Sequence, residues 1–101
     1  MPLIAIIGQF TLHPEDVTAA ADLMRTMMIE TQKEQGCLHY AFSSDLVTPH
    51  QFQLSELWES DGALAAHFAT AHMAEFRANL ALLRVQQRTV KRYDASNPAD
   101  L

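Results

Sequence analysis

Phe52-Gln-Leu-Ser-Glu-Leu-Trp-Glu-Ser-Asp-Gly-Ala-Leu-Ala-Ala-His-Phe-Ala-Thr-Ala-His72 changes its periodicity half-way along. Phe52, Leu54, Glu56 and Trp58 fall on one phase of a period-two alternation, with Gln53, Ser55 and Leu57 on the other, which is the pattern of a strand with two unlike faces. The alternation breaks at Ser60-Asp61-Gly62 and resumes with helical spacing through Leu64, His67 and Phe68. Ser60 is placed to cap that helix, because its hydroxyl can accept a backbone N–H of the first turn. A strand that hands over to a helix here gathers Glu56, Trp58, His67 and His72 near one apolar layer, the wall and mouth of a pocket.

Upstream, Asp45-Leu-Val-Thr-Pro-His50 reads as a turn joining this strand to an alternating segment, Cys37–Ser43, in an antiparallel hairpin. Before it, Val17, Ala20, Ala21, Met24, Met27, Met28 and Thr31 recur at helical spacing. Pro14-Glu15-Asp16 opens that helix, and Gly36 is expected as its left-handed C-terminal cap. Leu3–Phe10 is apolar on both phases, as in a strand covered on both faces. Downstream, Thr70 breaks a short helix from a longer one carrying Met73, Phe76, Leu80 and Leu83, and Val85–Tyr93 is the last strand. Residues 94–101 form a polar tail to a single domain spanning 1–101. The order β-α-β-β-α-β predicts an α+β, ferredoxin-like sandwich, a four-stranded antiparallel sheet with helices on one face. Ile4, Ile6 and Phe10 cannot share a face with Leu3, Ala5 and Ile7. One set must therefore point away from the helices, and a homodimer formed through that sheet face is expected.

Seven Lys and Arg against 12 Asp and Glu give a net charge of −5, with no dense basic block, which argues against a nucleic-acid partner. Arg84, Arg88, Lys91 and Arg92 cluster at strand spacing and read as a solvated or interface face. A lone Cys37 excludes an intrachain disulfide and fits a reducing, cytoplasmic setting, where it reads as a small hydrophobe and not a nucleophile. No apolar run reaches membrane-spanning length and no signal peptide is evident, so no membrane partner is expected.

Three segments carry a family resemblance: Gly36-Cys-Leu-His-Tyr40, Glu56-Leu-Trp58, and Ala63-Leu-Ala-Ala-His-Phe-Ala-Thr-Ala-His72 with Phe76. Together they resemble the antibiotic biosynthesis monooxygenase domain family, which includes quinol monooxygenase-like members. The resemblance implies a dimeric α+β barrel with a pocket in each subunit between helices and sheet. It implies chemistry that uses neither metal nor flavin, in which an electron-rich dihydroxyaromatic is deprotonated and itself reduces molecular oxygen. The family's Trp falls on Trp58 and its two His on His67 and His72. The haem-degrading branch uses an Asn on the first strand, where this chain has Ile6, Ile7, Gly8 and Gln9.

Such chemistry needs a base, donors for the phenolate and walls that exclude water. His67 is the expected base, against the plainer reading of a helix histidine hydrogen-bonded at the core edge. His72, five residues on, would lie about 140° around an unbroken helix, so the two diverge unless Thr70 interrupts it; with no Cys or carboxylate at ligand spacing, joint metal ligation is not expected. Instead it caps or orients. Trp58 offers an indole N–H and completes the catalytic set. Glu56 on the apolar phase should be protonated or meet a cation, with His67, His72, Arg77 and the late basic strand as candidates. Tyr40, Arg77 and Asn79 are candidate polar contacts to substrate, and Phe68, Phe76 and Met24 candidate apolar ones. The expected function is a cofactor-independent monooxygenase of a quinol or related polyphenol. An isomerase moving a proton next to a carbonyl, or a non-catalytic small-molecule-binding dimer, are the alternatives.

Overall fold

The computed structural model describes residues 2–101. Strand β1 (Leu3–Leu12) leads through a single 3-10 turn (Pro14–Asp16) into helix α1 (Val17–Thr31). Strands β2 (Cys37–Ser44) and β3 (Gln51–Trp58) follow as a hairpin, then helices α2 (Asp61–Phe68) and α3 (Ala71–Leu80), then β4 (Val85–Ala95). The sheet order is β2-β3-β1-β4 with every neighbouring pair antiparallel. This is the expected ferredoxin-like α+β architecture, in which each βαβ unit is split by the strand between its two members.

The alternation in β3 sorts as its sequence requires. Phe52, Leu54, Glu56 and Trp58 are buried toward the helices, and Ser55 is exposed on the other face. In β1 the helix-facing set is Ile4, Ile6, Phe10 and Leu12, while Ile7 remains 61% exposed on the open face. Helix α1 buries Ala20, Met24, Met27 and Thr31 against the sheet. Ser60 and Thr70 both cap as expected, their hydroxyls accepting from Ala63 N–H and Met73 N–H.

Three boundaries differ from the sequence expectation. β1 runs two residues past Phe10, because Leu12 is fully buried and pairs with Val85 across a register shift. β4 continues to Ala95, paired with Leu3, which shortens the polar tail. Gly36 does not cap α1. The helix ends at Thr31 with Gln32 as its C-cap, and Gly36, at φ 84°, turns the chain into β2 while its carbonyl accepts from Glu59 N–H.

Candidate functional site

A cavity of about 450 Å³ lies between the sheet and α3. Tyr40 and Phe42 of β2, Leu54 and Glu56 of β3, Ile6 and Phe10 of β1, and Val85, Arg88 and Val90 of β4 line its sheet side. Phe68, Met73, Phe76, Arg77, Leu80 and Ala81 close the helical side. Aromatic packing sets the wall, edge-on from Phe42 to Phe10 and Tyr40 and tilted to Phe76. The Phe42 ring lies 5.9 Å from Phe10, 5.7 Å from Tyr40 and 5.9 Å from Phe76, within the range where such pairs attract. Arg77 and Arg88, both exposed, mark where the cavity meets solvent. The Arg88 guanidinium sits over the Phe10 ring at 5.6 Å, a cation–π contact.

Glu56 is the acidic group among these walls. Its neighbour two positions on, Trp58, points the same way from β3, so the indole Nε1–H donates to Glu56 Oε1 at 2.8 Å. Burial pushes the Glu56 carboxyl up to about 7, the indole bond opposes the rise, and the Glu34 charge adds to it. Among the described residues no ion pair joins Glu56 to an expected cation: His67 and His72 pair with Glu34, Arg77 and Arg88 share the cavity lining without bonding to it, and the indole N–H is its partner. Burial, followed by the Glu56 charge, raises the Tyr40 hydroxyl above the ordinary phenol range, so it stays protonated and able to donate. Burial also raises the half-buried Cys37 thiol, in keeping with an inert side chain.

The structure does not bring the expected site residues to one place. Glu56, Tyr40, Phe68, Phe76 and Arg77 line the cavity. Trp58 and His67 stand behind its wall, fully buried, with their rings 4.8 Å apart and the His67 ring 5.6 Å from Tyr40. His72 is half-buried and also outside the cavity. Met24 lines a separate depression of about 250 Å³ with Phe52 and Met28, because α1 packs over the other end of the sheet. Asn79 is exposed on α3 and lines neither.

The expected break at Thr70 is present, and with it His67 and His72 do not diverge. Thr70 interrupts the helix, its hydroxyl donating to the His67 carbonyl while capping α3, and the new helix axis turns His72 back. Both imidazoles then meet one oxygen. His67 Nδ1 and His72 Nε2 are each 2.7 Å from Glu34 Oε2. A carboxylate only accepts, so each ring presents an N–H there. Glu34, just past α1, was not among the expected residues, and its only sequence signal is its place ahead of Gly36. Arg88 is exposed, as a solvated or interface face requires, and the pairing of β4 to β1 also sets it opposite Phe10 at the cavity.

A model of the antibiotic biosynthesis monooxygenase family matches residues 3–79. The chain belongs to this family. Glu34, Glu56, Trp58, His67 and His72 lie inside the family match, whereas Arg88 on β4 lies beyond it. A Deinococcus radiodurans protein provisionally described as an antibiotic biosynthesis monooxygenase is 26% identical, covers 97% of both chains and superposes with a TM-score of 0.91. A further structure described as an antibiotic biosynthesis monooxygenase is 29% identical over 93% of this chain and 99% of that one, with a TM-score of 0.84. A Pseudomonas aeruginosa protein is 25% identical over 96% and 97% of the two chains, with a TM-score of 0.87. No curated protein matches the chain. No helix among the described residues is long and apolar enough to cross a membrane.

Proposed function

We propose that this family member is a cofactor-independent monooxygenase that oxidises a quinol or related polyphenolic aromatic held in the cavity beneath α3. The observation that carries this reading is the Glu56 carboxyl, buried in an apolar, aromatic-walled cavity with its pKa raised to about 7. A base works best when its pKa lies near the operating pH, and a phenol ordinarily titrates near 10, so Glu56 is matched to take a phenolic proton.

The chemistry then proceeds from the substrate. Glu56 accepts one phenolic proton, and Tyr40 O–H and Arg77 at the mouth offer hydrogen bonds to the phenolate oxygens. The electron-rich ring gives four electrons to dioxygen. One oxygen atom becomes bonded to the ring carbon, the other leaves as water, and a quinol emerges as its hydroxyquinone with atoms and electrons balanced. Phe42, Phe68 and Phe76 keep water from the intermediates. Trp58 fixes the base through its indole N–H. His67 and His72 support the wall from behind, with the His67 ring packed at a tilt against Trp58.

The same reading includes a homodimer through the open sheet face, where Leu3, Ala5, Ile7, Leu57 and Tyr93 collect. Oxygen uptake with a panel of hydroquinones and polycyclic phenols tests the enzymatic part. The wild type is expected to consume oxygen well above buffer, and Glu56→Gln to lose that activity. If no member of the panel is consumed faster than in buffer, the oxygenase reading is dropped. Turnover that persists under strict anaerobiosis would replace it with proton transfer next to a carbonyl, which needs the same base and no oxygen.

A further inference from the structure

The geometry points to a binding site for a first-row divalent transition metal of the zinc type at Glu34, His67 and His72, behind the cavity wall. Three elements deliver these groups: the turn after α1, the last turn of α2 and the first turn of α3. One donor atom from each lies within 4.8 Å of the other two, and this is the one group of three His, Cys, Asp or Glu side chains so gathered among the described residues. Two imidazole nitrogens and a carboxylate oxygen suit Zn²⁺ or Fe²⁺ and not Mg²⁺, which prefers oxygen alone.

The arrangement is close to what such an ion requires. Around a tetrahedral ion with bonds of about 2.1 Å, donor atoms stand about 3.4 Å apart. Each imidazole nitrogen is 2.7 Å from Glu34 Oε2, so the carboxylate must draw back by about 0.7 Å. Glu34 lies outside regular helix, in a turn where its N–H donates to the Thr31 carbonyl and its own carbonyl accepts from Cys37 N–H, so the adjustment falls to its side-chain torsions. His67, by contrast, is fixed between the rings of Trp58 and Tyr40, a preset ligand. His72 and Glu34 keep 20% and 13% of their side-chain surface exposed, so an ion has a route in and water can complete its coordination. An occupied site ties the turn after α1 to the α2–α3 corner.

The alternative is a hydrogen-bonded His–Glu–His network with no affinity for metal, and the two are separable. Full-length protein freed of metal with a chelator is titrated with Zn²⁺ by calorimetry, with Mg²⁺ in parallel, for wild type, Glu34→Gln, His72→Ala and His39→Ala. One Zn²⁺ per chain is expected, with binding weaker by at least about tenfold in Glu34→Gln and His72→Ala. His39→Ala, on the opposite face of the sheet, should bind as the wild type does, and Mg²⁺ should not compete. Zn²⁺ should also raise the melting temperature of the wild type and not that of His72→Ala. No saturable uptake, or equal affinity in all four proteins, overturns the site. Should either ligand variant fail to melt cooperatively, the visible spectrum of Co²⁺-loaded wild type decides. Bands of a low-symmetry nitrogen–oxygen site support the proposal, and the spectrum of aqueous Co²⁺ overturns it.

Discussion

The indole Nε1–H of Trp58 donates a 2.8 Å hydrogen bond to Glu56 Oε1, two residues back on the same face of β3. Trp58 is fully buried and Glu56 nearly so. The bond therefore favours the charged carboxylate in a place where burial disfavours it, and these opposed effects leave Glu56 near neutrality. Trp58→Phe removes the donor and keeps an aromatic ring. A hydrogen bond to a charged group is worth about 1.5–3 kcal/mol, so the Glu56 titration should move upward by at least about one pH unit. Side-chain carbon NMR of Glu56 against pH checks this, and an unchanged or lower midpoint would show that the indole does not set the base.

Glu56 also ties stability to pH. Its folded pKa of about 7 exceeds the ordinary 4.5, so between those values the folded state holds a proton that the unfolded chain has released. Stability must fall as pH rises through that window, and the cost is complete above about pH 7. Glu56→Gln keeps the indole's acceptor and has no charge to bury. The variant should match the wild type near pH 4.5 and be the more stable protein at pH 8 by up to about 3 kcal/mol. Urea melts at both values measure the difference. Oxygen uptake by the same variant should drop by about 100- to 10,000-fold if the carboxyl is the base.

Gly36 and Gly62 make a pair of opposite expectations. At φ 84° Gly36 lies in the left-handed region, and a Cβ there would stand 2.5 Å from the Ala63 Cβ, whose backbone belongs to α2. Gly36→Ala should destabilise the fold by at least about 2 kcal/mol, strain and overlap adding. Gly62, in the first turn of α2, meets nothing closer than Ser60 Oγ at 3.8 Å. Gly62→Ala should instead stabilise by about 0.5–1 kcal/mol, through helix propensity and a less free unfolded chain. Thermal melts of the two variants should therefore shift in opposite directions.

Asp16 and Arg84 join the start of the first helical segment to the entry of β4. The Arg84 backbone N–H and Nε–H donate to Oδ2 at 2.8 and 3.1 Å, and Nη2–H donates to Oδ1 at 3.0 Å. These bonds hold the Asp16 carboxyl down to about 2. A carboxyl with a lowered folded pKa stabilises above its ordinary value and loses that contribution as pH falls from about 3.8 toward 2. Asp16→Asn should thus flatten the acid limb of the stability profile, leaving a smaller loss between pH 5 and pH 2 than the wild type shows in melting experiments.

Local pattern made the sheet legible and the distant pairings did not. The alternation Phe52–Trp58 and the caps Ser60 and Thr70 are readable because each depends on neighbours within four residues, and each stands as the pattern requires. Glu56 was legible as an anomaly, a carboxylate on an apolar phase. Of the two outcomes open to such a group, protonation or a cation, the raised pKa favours the first, and the partner it does have, Trp58, donates without charge from two residues away. Glu34 was hidden because its meaning lies 33 and 38 residues downstream, at His67 and His72. The angle between those two histidines also depends on how Thr70 bends the chain, which spacing alone does not give. Met24 shows the converse limit: its phase on α1 is buried as expected, but which end of the sheet the helix covers is decided by packing.

The open face of the sheet carries the last expectation. Ala5 lies opposite both Leu57 and Tyr93, and Ile7 opposite Ser55 and Lys91, so apolar side chains collect at one end of the face. Gln9, Gln53 and Thr89 make the other end polar. A two-fold axis through the apolar end would set the same residues of two copies against one another, covering Ile7, now 61% exposed, and Tyr93, now 48% exposed. Ile7→Glu would bring two like charges into that contact, each costing several kcal/mol to desolvate without a partner. In a monomer the same side chain stays in water and the fold is unaffected. Light scattering on eluting protein should therefore give twice the chain mass for the wild type and a single chain for Ile7→Glu, with similar melting cooperativity. A wild type of single-chain mass at micromolar concentration would remove the pairing. The cavity would be untouched by that result, because it is built on the opposite side of the sheet from side chains of one copy.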